Sequence, residues 1–141
     1  MTLTLKIAQQ IILNVLAKGE ALGCKPLTVA VLDAGGHLKA MARSDGTSTL
    51  RPHIAHGKAH GAISMGLGSR ALFERAQQQP YFIQAMNSLA DGALVPVPGG
   101  VLIRDDTGII GAVGVTGDSS DNDEACAVAA IEAVELVADA G

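Results

Sequence analysis

Residues Thr28–Gly46 read TVAVLDAGGHLKAMARSDG, two short runs of β character hinged at Gly35-Gly36. Glycine readily adopts the positive φ angles that tight hairpin turns demand, so the stretch predicts a β-hairpin. Further along, VPVPGGVLIRDDTGIIGAVGVTG (Val95–Gly117) repeats the arrangement, with Asp105, Asp106, Thr107 and Gly108 as turn residues between two β-rich runs. Two hairpins of the same kind can pair within one antiparallel sheet.

The flanks are helical in pattern. LTLKIAQQIILNVLAKGEALG places Leu5, Ala8, Ile12, Val15, Leu16 and Leu22 at roughly helical spacing, and Gly23 is a natural stop. Between the hairpins, Pro52 suits the first turn of a second helix that runs to Gly66 and Gly68 and is weakened by Gly57 and Gly61. SRALFERAQQQP then predicts a short helix capped by Ser69 and ended by Pro80, followed by another helical turn or two. The tail SSDNDEACAVAAIEAVELVADAG opens with acidic and capping residues and predicts a long C-terminal helix. The expected fold is α+β: a central antiparallel sheet built from two hairpins, flanked by N- and C-terminal helices and a helical middle segment.

No linker or repeat divides the chain, so residues 1–141 are read as a single domain. Hydrophobic residues make up 48% of it, yet there are only one Tyr, two Phe and no Trp, so the core must be filled by aliphatic side chains. Ten basic residues spread along a chain of net charge −4 give no nucleic-acid footprint, which needs clustered Lys and Arg. The apolar runs fall short of a bilayer span, and MTLTLKIAQQ lacks a signal-peptide pattern, which predicts a cytoplasmic protein with no membrane partner. In a reduced compartment Cys24 and Cys126 are expected to be free thiols.

Four segments carry a resemblance: Val31-Leu32-Asp33-Ala34-Gly35-Gly36-His37-Leu38, Arg43-Ser44-Asp45-Gly46, Pro98-Gly99-Gly100, and Ile110-Gly111-Ala112-Val113-Gly114-Val115-Thr116-Gly117. In order and spacing, with Asp123-Glu124 following, they resemble the GlcG/HbpS-like family along nearly the whole chain. The resemblance implies an antiparallel sheet flanked by helices and assembly into dimers or larger homo-oligomers. It also implies a range of roles: extracellular haem-binding proteins, a haem-binding domain attached to corrinoid adenosyltransferases, and companions of catabolic genes, some members being described as haem-degrading.

The candidate ligand residues are Asp33, Gly35, Gly36, His37, Arg43, Asp45, Lys58, Gly99 and Gly100. Asp33 and His37 flank the first turn, where they form a polar site or, alternatively, serve ordinary turn chemistry. Arg43 offers a bidentate guanidinium to a carboxylate or haem propionate, or pairs with Asp45. Lys58 resembles a family feature and sits where it could neutralise an anion, or is simply solvated. Gly99-Gly100 and Gly111, Gly114 and Gly117 interrupt strands, marking close backbone approach or the edge of a ligand.

His53, His56 and His60 fall at i, i+3 and i+7 of one helix face and are, with His37 as the other choice, the candidate metal or haem ligands, against the alternative of partly buried polar side chains or an oligomer contact. His56 and His60 have chelating spacing, but no Glu follows the first His as a zincin requires, and a zinc site would need further ligands. Haem and a divalent metal are thus the cofactors considered, with Cys24 a less favoured soft ligand. The leading functional reading is a haem- or tetrapyrrole-binding protein. The alternatives are a small-molecule catabolic enzyme with an Asp or His base and an Arg carboxylate anchor, and a non-catalytic oligomeric scaffold subunit.

One cavity shared by Asp33, His37, Arg43 and Lys58 is expected.

Overall fold

The computed structural model describes all residues, Met1–Gly141, and contains both hairpins. In the first, β1 (Thr28–Asp33) and β2 (Leu38–Arg43) are joined by a turn in which only Gly36, at φ +82°, needs the left-handed region. In the second, β3 (Gly100–Asp105) and β4 (Gly108–Thr116) turn through Asp106 and Thr107. The hairpins join through β1 and β4, and the all-antiparallel order is β2-β1-β4-β3-β5.

The fifth strand corrects the expected C-terminal helix. Helix α5 (Ser120–Glu132) starts as predicted, with the Ser119 hydroxyl accepting from the Asn122 amide at 3.2 Å, but stops at Glu132. Glu135 takes φ +61°, reversing the chain, and β5 (Val137–Asp139) pairs with the outer side of β3. The pattern Ala133–Asp139 is equally apolar in either state. Pairing with an otherwise open strand edge, plus an Arg104–Asp139 ion pair at 2.8 Å, favours the strand.

Helix α1 (Leu5–Ala21) and α5 cover one face of the sheet, packing Ala8, Ile11, Val15, Cys126, Ala130 and Ile131 against alternate strand residues. Leu5 and Leu22, expected on this buried stripe, are exposed, and Ile11 and Gly19 take the inner positions.

Helix α2 (Arg51–Met65) lies on the other face, where its Ala59 and Ala62 meet Leu32, Leu102 and Ala112. It lies very close. The cross-strand partners Gly100 and Gly114 sit beneath it, and a Cβ built on Gly114 would fall 1.9 Å from the Ala55 carbonyl oxygen. The strand glycines are therefore the floor on which α2 rests, and the glycines within α2 serve the same purpose on its other side, Gly57 against Val95 and Gly61 against Leu94.

Helices α3 (Ser69–Gln78) and α4 (Pro80–Leu89) complete this layer around Leu72, Ile83 and Leu94. Ser69 does not cap α3; that place is taken by Gly68. The fully buried Ser69 hydroxyl instead accepts from the Gly100 amide at 2.7 Å. Since β5 covers β3 only at Leu102–Arg104, this hydroxyl supplies the partner that Gly100 would otherwise lack.

Candidate functional site

The expected residues do not share one cavity. Asp33, Gly35 and His37 line a depression of about 290 Å³ at the hairpin end of the sheet, with Leu3, Thr107 and Ile110. There Asp33 is engaged in the turn: its Oδ1 accepts from the amides of Gly35 and His37, each at 3.0 Å, and lies 3.3 Å from His37 Nδ1. These bonds, the His37 amide first, hold its carboxyl below the usual range. His37 itself is exposed.

Lys58 is fully buried. Its ammonium donates to the Val115 carbonyl at 2.9 Å and to Asp123 Oδ2 at 3.2 Å, linking α2 past the end of β4 to α5 on the opposite face. Burial pushes the Lys58 ammonium down and the Asp123 carboxyl up, each opposed by its partner's charge. Gly99, at φ +122°, and Gly100 are packed against the lysine's Nζ and backbone respectively. Lys58 and the two glycines thus form a buried structural joint.

Two residues of the histidine stripe, His53 and His56, face a groove between α2 and the edge strand β2. Met41, Pro52, His53 and His56 line a depression of about 400 Å³, closed by Asp91, Gly92 and Ala93. The rings of His56 and His60 stack with centroids 5.4 Å apart, and His60 faces an adjoining depression of about 300 Å³ with Met65, Met86, Leu89 and Leu94. The helix runs toward the first hairpin, so that a Cβ on Gly36 would be 3.8 Å from the His60 ring. His60 Nδ1 is 2.9 Å from the Ala93 carbonyl oxygen. A carbonyl only accepts, so in the neutral ring Nδ1 carries the proton and Nε2 keeps a free lone pair. Burial, then the charges of His60 and His53, pushes His56 below the usual histidine range. Burial thus favours the neutral ring, the form that ligates iron.

Nowhere do three or more His, Cys, Asp or Glu side chains converge to hold a metal ion. The expectation of a divalent metal fails on this count, because the stripe offers too few donors for a bare ion. Haem makes a smaller demand, since its porphyrin supplies the equatorial nitrogens and only axial ligands come from the protein. The thiols are poorer candidates: both are free, and burial pushes Cys126 up to about 12 and raises Cys24 as well.

Arg43 is exposed at the far end of β2, without an ion pair to Asp45 or any other carboxylate; Asp45 borders a separate depression with Cys24 and Lys25. Two residues apart on one strand, Arg43 and Met41 share a face, so Arg43 lies one step along β2 from the methionine that lines the groove. Reading the sequence missed Met41, Arg51 and the role of Asp123. Met41 was legible as the residue two before Arg43. Asp123 was not, because its partner lies 65 positions away.

Comparison with known proteins agrees with this architecture. No curated protein matches the chain. Among solved structures, the PduOC–haem complex superposes with a TM-score of 0.86 at 24% identity, covering 96% of this chain and 97% of the other. The Klebsiella pneumoniae protein ORFY does so with a TM-score of 0.86 at 25% identity, covering 96% and 92%. A double mutant of HbpS from Streptomyces reticuli gives 0.81 at 24%, covering 95% and 88%. Residues 3–132 match the family described as "Haem degrading protein HbpS-like", and the chain belongs to that family.

Proposed function

We propose that this protein binds haem or a related tetrapyrrole in the groove between α2 and β2, with an imidazole of the His53/His56/His60 stripe as iron ligand. The observation that carries the reading is the His56–His60 stack. It divides two neighbouring depressions, and its second ring is oriented by a backbone carbonyl that leaves Nε2 available. The groove itself offers Met41, and the depression on the other side of the histidine pair, between α2 and α4, adds Met65, Met86, Leu89 and Leu94; methionine adapts well to a flat ligand. Arg43, one step along β2 from Met41, is the residue proposed to meet a propionate. Family membership and the haem complex of a structural relative support the same ligand class.

No helix is long and apolar enough to cross a membrane. Assembly into a homo-oligomer is part of the proposal, and light scattering at micromolar concentration measures it directly. The test of function is titration of the haem-free protein with hemin, read in the Soret band. A sharp, saturating shift supports the proposal. Indifference to hemin together with protection by an organic acid in a melting screen would favour the catabolic enzyme instead.

A further inference from the structure

The two cysteines lie near opposite ends of the chain, and the fold brings them together. Helix α1 is followed by Gly23 at φ +68°, which turns the chain back so that the Cys24 amide donates to the Gly19 carbonyl at 2.9 Å. The next amide, of Lys25, donates to Asp118 Oδ1 at 2.9 Å. Asp118 in turn receives the Asn122 side-chain amide at 2.8 Å and donates its own backbone amide to Asp123 Oδ1 at 3.0 Å. The segment carrying Cys24 is thereby tied to the first turn of α5. Cys126 follows Asn122 and Asp123 by four and three positions, on the same side of that helix and one turn further along. Cys24 accordingly packs against the core cluster that contains Cys126, and the two thiols are hydrogen-bonded to one another.

The pair is asymmetric. Cys24 is half-buried and lines a depression of about 330 Å³ with Leu16, Gly19, Lys25 and Asp45, so a small solute can reach its sulfur. Cys126 is fully buried beneath it. Burial, then the charge of Asp118, pushes the Cys24 thiol up, and burial pushes Cys126 up to about 12. Both rest as thiols at neutral pH, which makes them slow nucleophiles.

We infer that Cys24 and Cys126 are the two halves of a reversible disulfide that forms when hydrogen peroxide enters the depression beside α1. In the first step the Cys24 sulfur attacks one peroxide oxygen and the O–O bond breaks. Cys24 becomes a sulfenic acid, and the departing hydroxide takes the thiol proton and leaves as water. In the second step the Cys126 sulfur attacks the Cys24 sulfur and the S–O bond breaks. The hydroxyl leaves with the Cys126 proton as a second water, so the two thiols lose the two electrons that the peroxide gains. A dithiol reductant reverses the reaction by exchange. Burial of Cys126 suits this order of events, since the oxidant meets Cys24 first and the resolving sulfur already stands beside it. The protonated resting state makes the pair a responder to sustained exposure rather than to traces of peroxide. The bond closes a loop of about 100 residues and fixes the approach to β1 onto α5, one turn from the Lys58–Asp123 joint.

The experiment uses the whole haem-free chain, first reduced and then held in millimolar hydrogen peroxide, with dithiothreitol as the reversing reagent. Neither thiol belongs to the histidine groove, so the result does not depend on haem. Peptide mapping without reduction is expected to yield a linked Cys24–Cys126 peptide, a product that methionine oxidation cannot mimic. Reduction of the cross-linked protein should then lower its unfolding midpoint by roughly 10 °C. Cys24→Ser should leave Cys126 as a thiol under the same exposure, because the oxidant does not reach it. Cys126→Ala should send Cys24 on to sulfinic acid for want of a resolving partner. Cys24 is the less buried of the two, so its variant keeps the test open should Cys126→Ala fail to fold. Two thiols that survive the exposure in the parent overturn the inference. So do sulfinic acid at Cys24 of the parent without a cross-link, disulfides found only between chains, and Cys126 oxidised in Cys24→Ser as fast as in the parent.

Discussion

Replacing Lys58 by Met keeps the length of the side chain and removes its charge. Both members of the Lys58–Asp123 pair have 2% side-chain exposure, so the variant strands a carboxylate in the interior. Of the bonds that satisfied Asp123, only the Asp118 amide at 3.0 Å remains. Breaking a buried pair from one side costs about 3–5 kcal/mol, which for a chain of this size lowers the unfolding midpoint by roughly 10–15 °C. The penalty has a predictable pH dependence. Burial already pushes the Asp123 carboxyl up, and without the lysine it rises further. A carboxyl whose folded pKa lies above its unfolded value favours the fold at low pH, and that contribution is lost as pH rises through the folded value. Lys58→Met should therefore lose most relative to the parent at pH 7 and least near pH 4. Urea unfolding at both pH values measures this, with Lys58→Met/Asp123→Leu as the control that removes both charges and recovers stability over the single variant. A Lys58→Met protein within about 1 kcal/mol of the parent at pH 7, or a double variant no better than the single, would refute the assignment of this pair as a buried joint.

Gly114→Ala should be among the most damaging small substitutions, costing about 3 kcal/mol or more in chemical denaturation, because its Cβ would overlap the Ala55 carbonyl and lift α2 off the sheet. Ser69→Ala should cost about 1–3 kcal/mol by leaving the Gly100 amide buried and unpaired, and faster hydrogen exchange at Gly100 is the accompanying signature. His56 is held below the usual histidine range, so the unfolded chain takes up its proton first as pH falls. Its contribution to stability is fully present above about pH 6.5 and is lost as pH drops through its lower folded value, a slope that His56→Gln should flatten in a pH series of melting curves.

The parts of the fold written in local chemistry were legible. The Gly35-Gly36 hinge, Pro52 at the start of α2 and Pro80 between α3 and α4 each act over a few residues, and each stands where expected. What depended on distant partners was not. Val137–Asp139 is a strand because β3 has an open edge, and Ser69 is drawn from capping by an amide 31 positions away. The candidate site divides along the same line. The histidine stripe follows from helical periodicity and is found as one stripe. Grouping Lys58 with Asp33 and Arg43 required the relative placement of α2 and β2, which no spacing encodes: the lysine is buried, and Asp33 and Arg43 lie at opposite ends of the first hairpin.

The central claim is that an α2 imidazole ligates haem, and binding of hemin by single-alanine variants of His37, His53, His56, His60, Cys24 and Cys126 tests it most directly. The parent should give a saturating Soret shift. His56→Ala or His60→Ala should lose it or move its maximum, while His37→Ala and both cysteine variants bind like the parent. A parent that leaves the hemin spectrum unchanged, or binding lost only in a cysteine variant, would contradict the account.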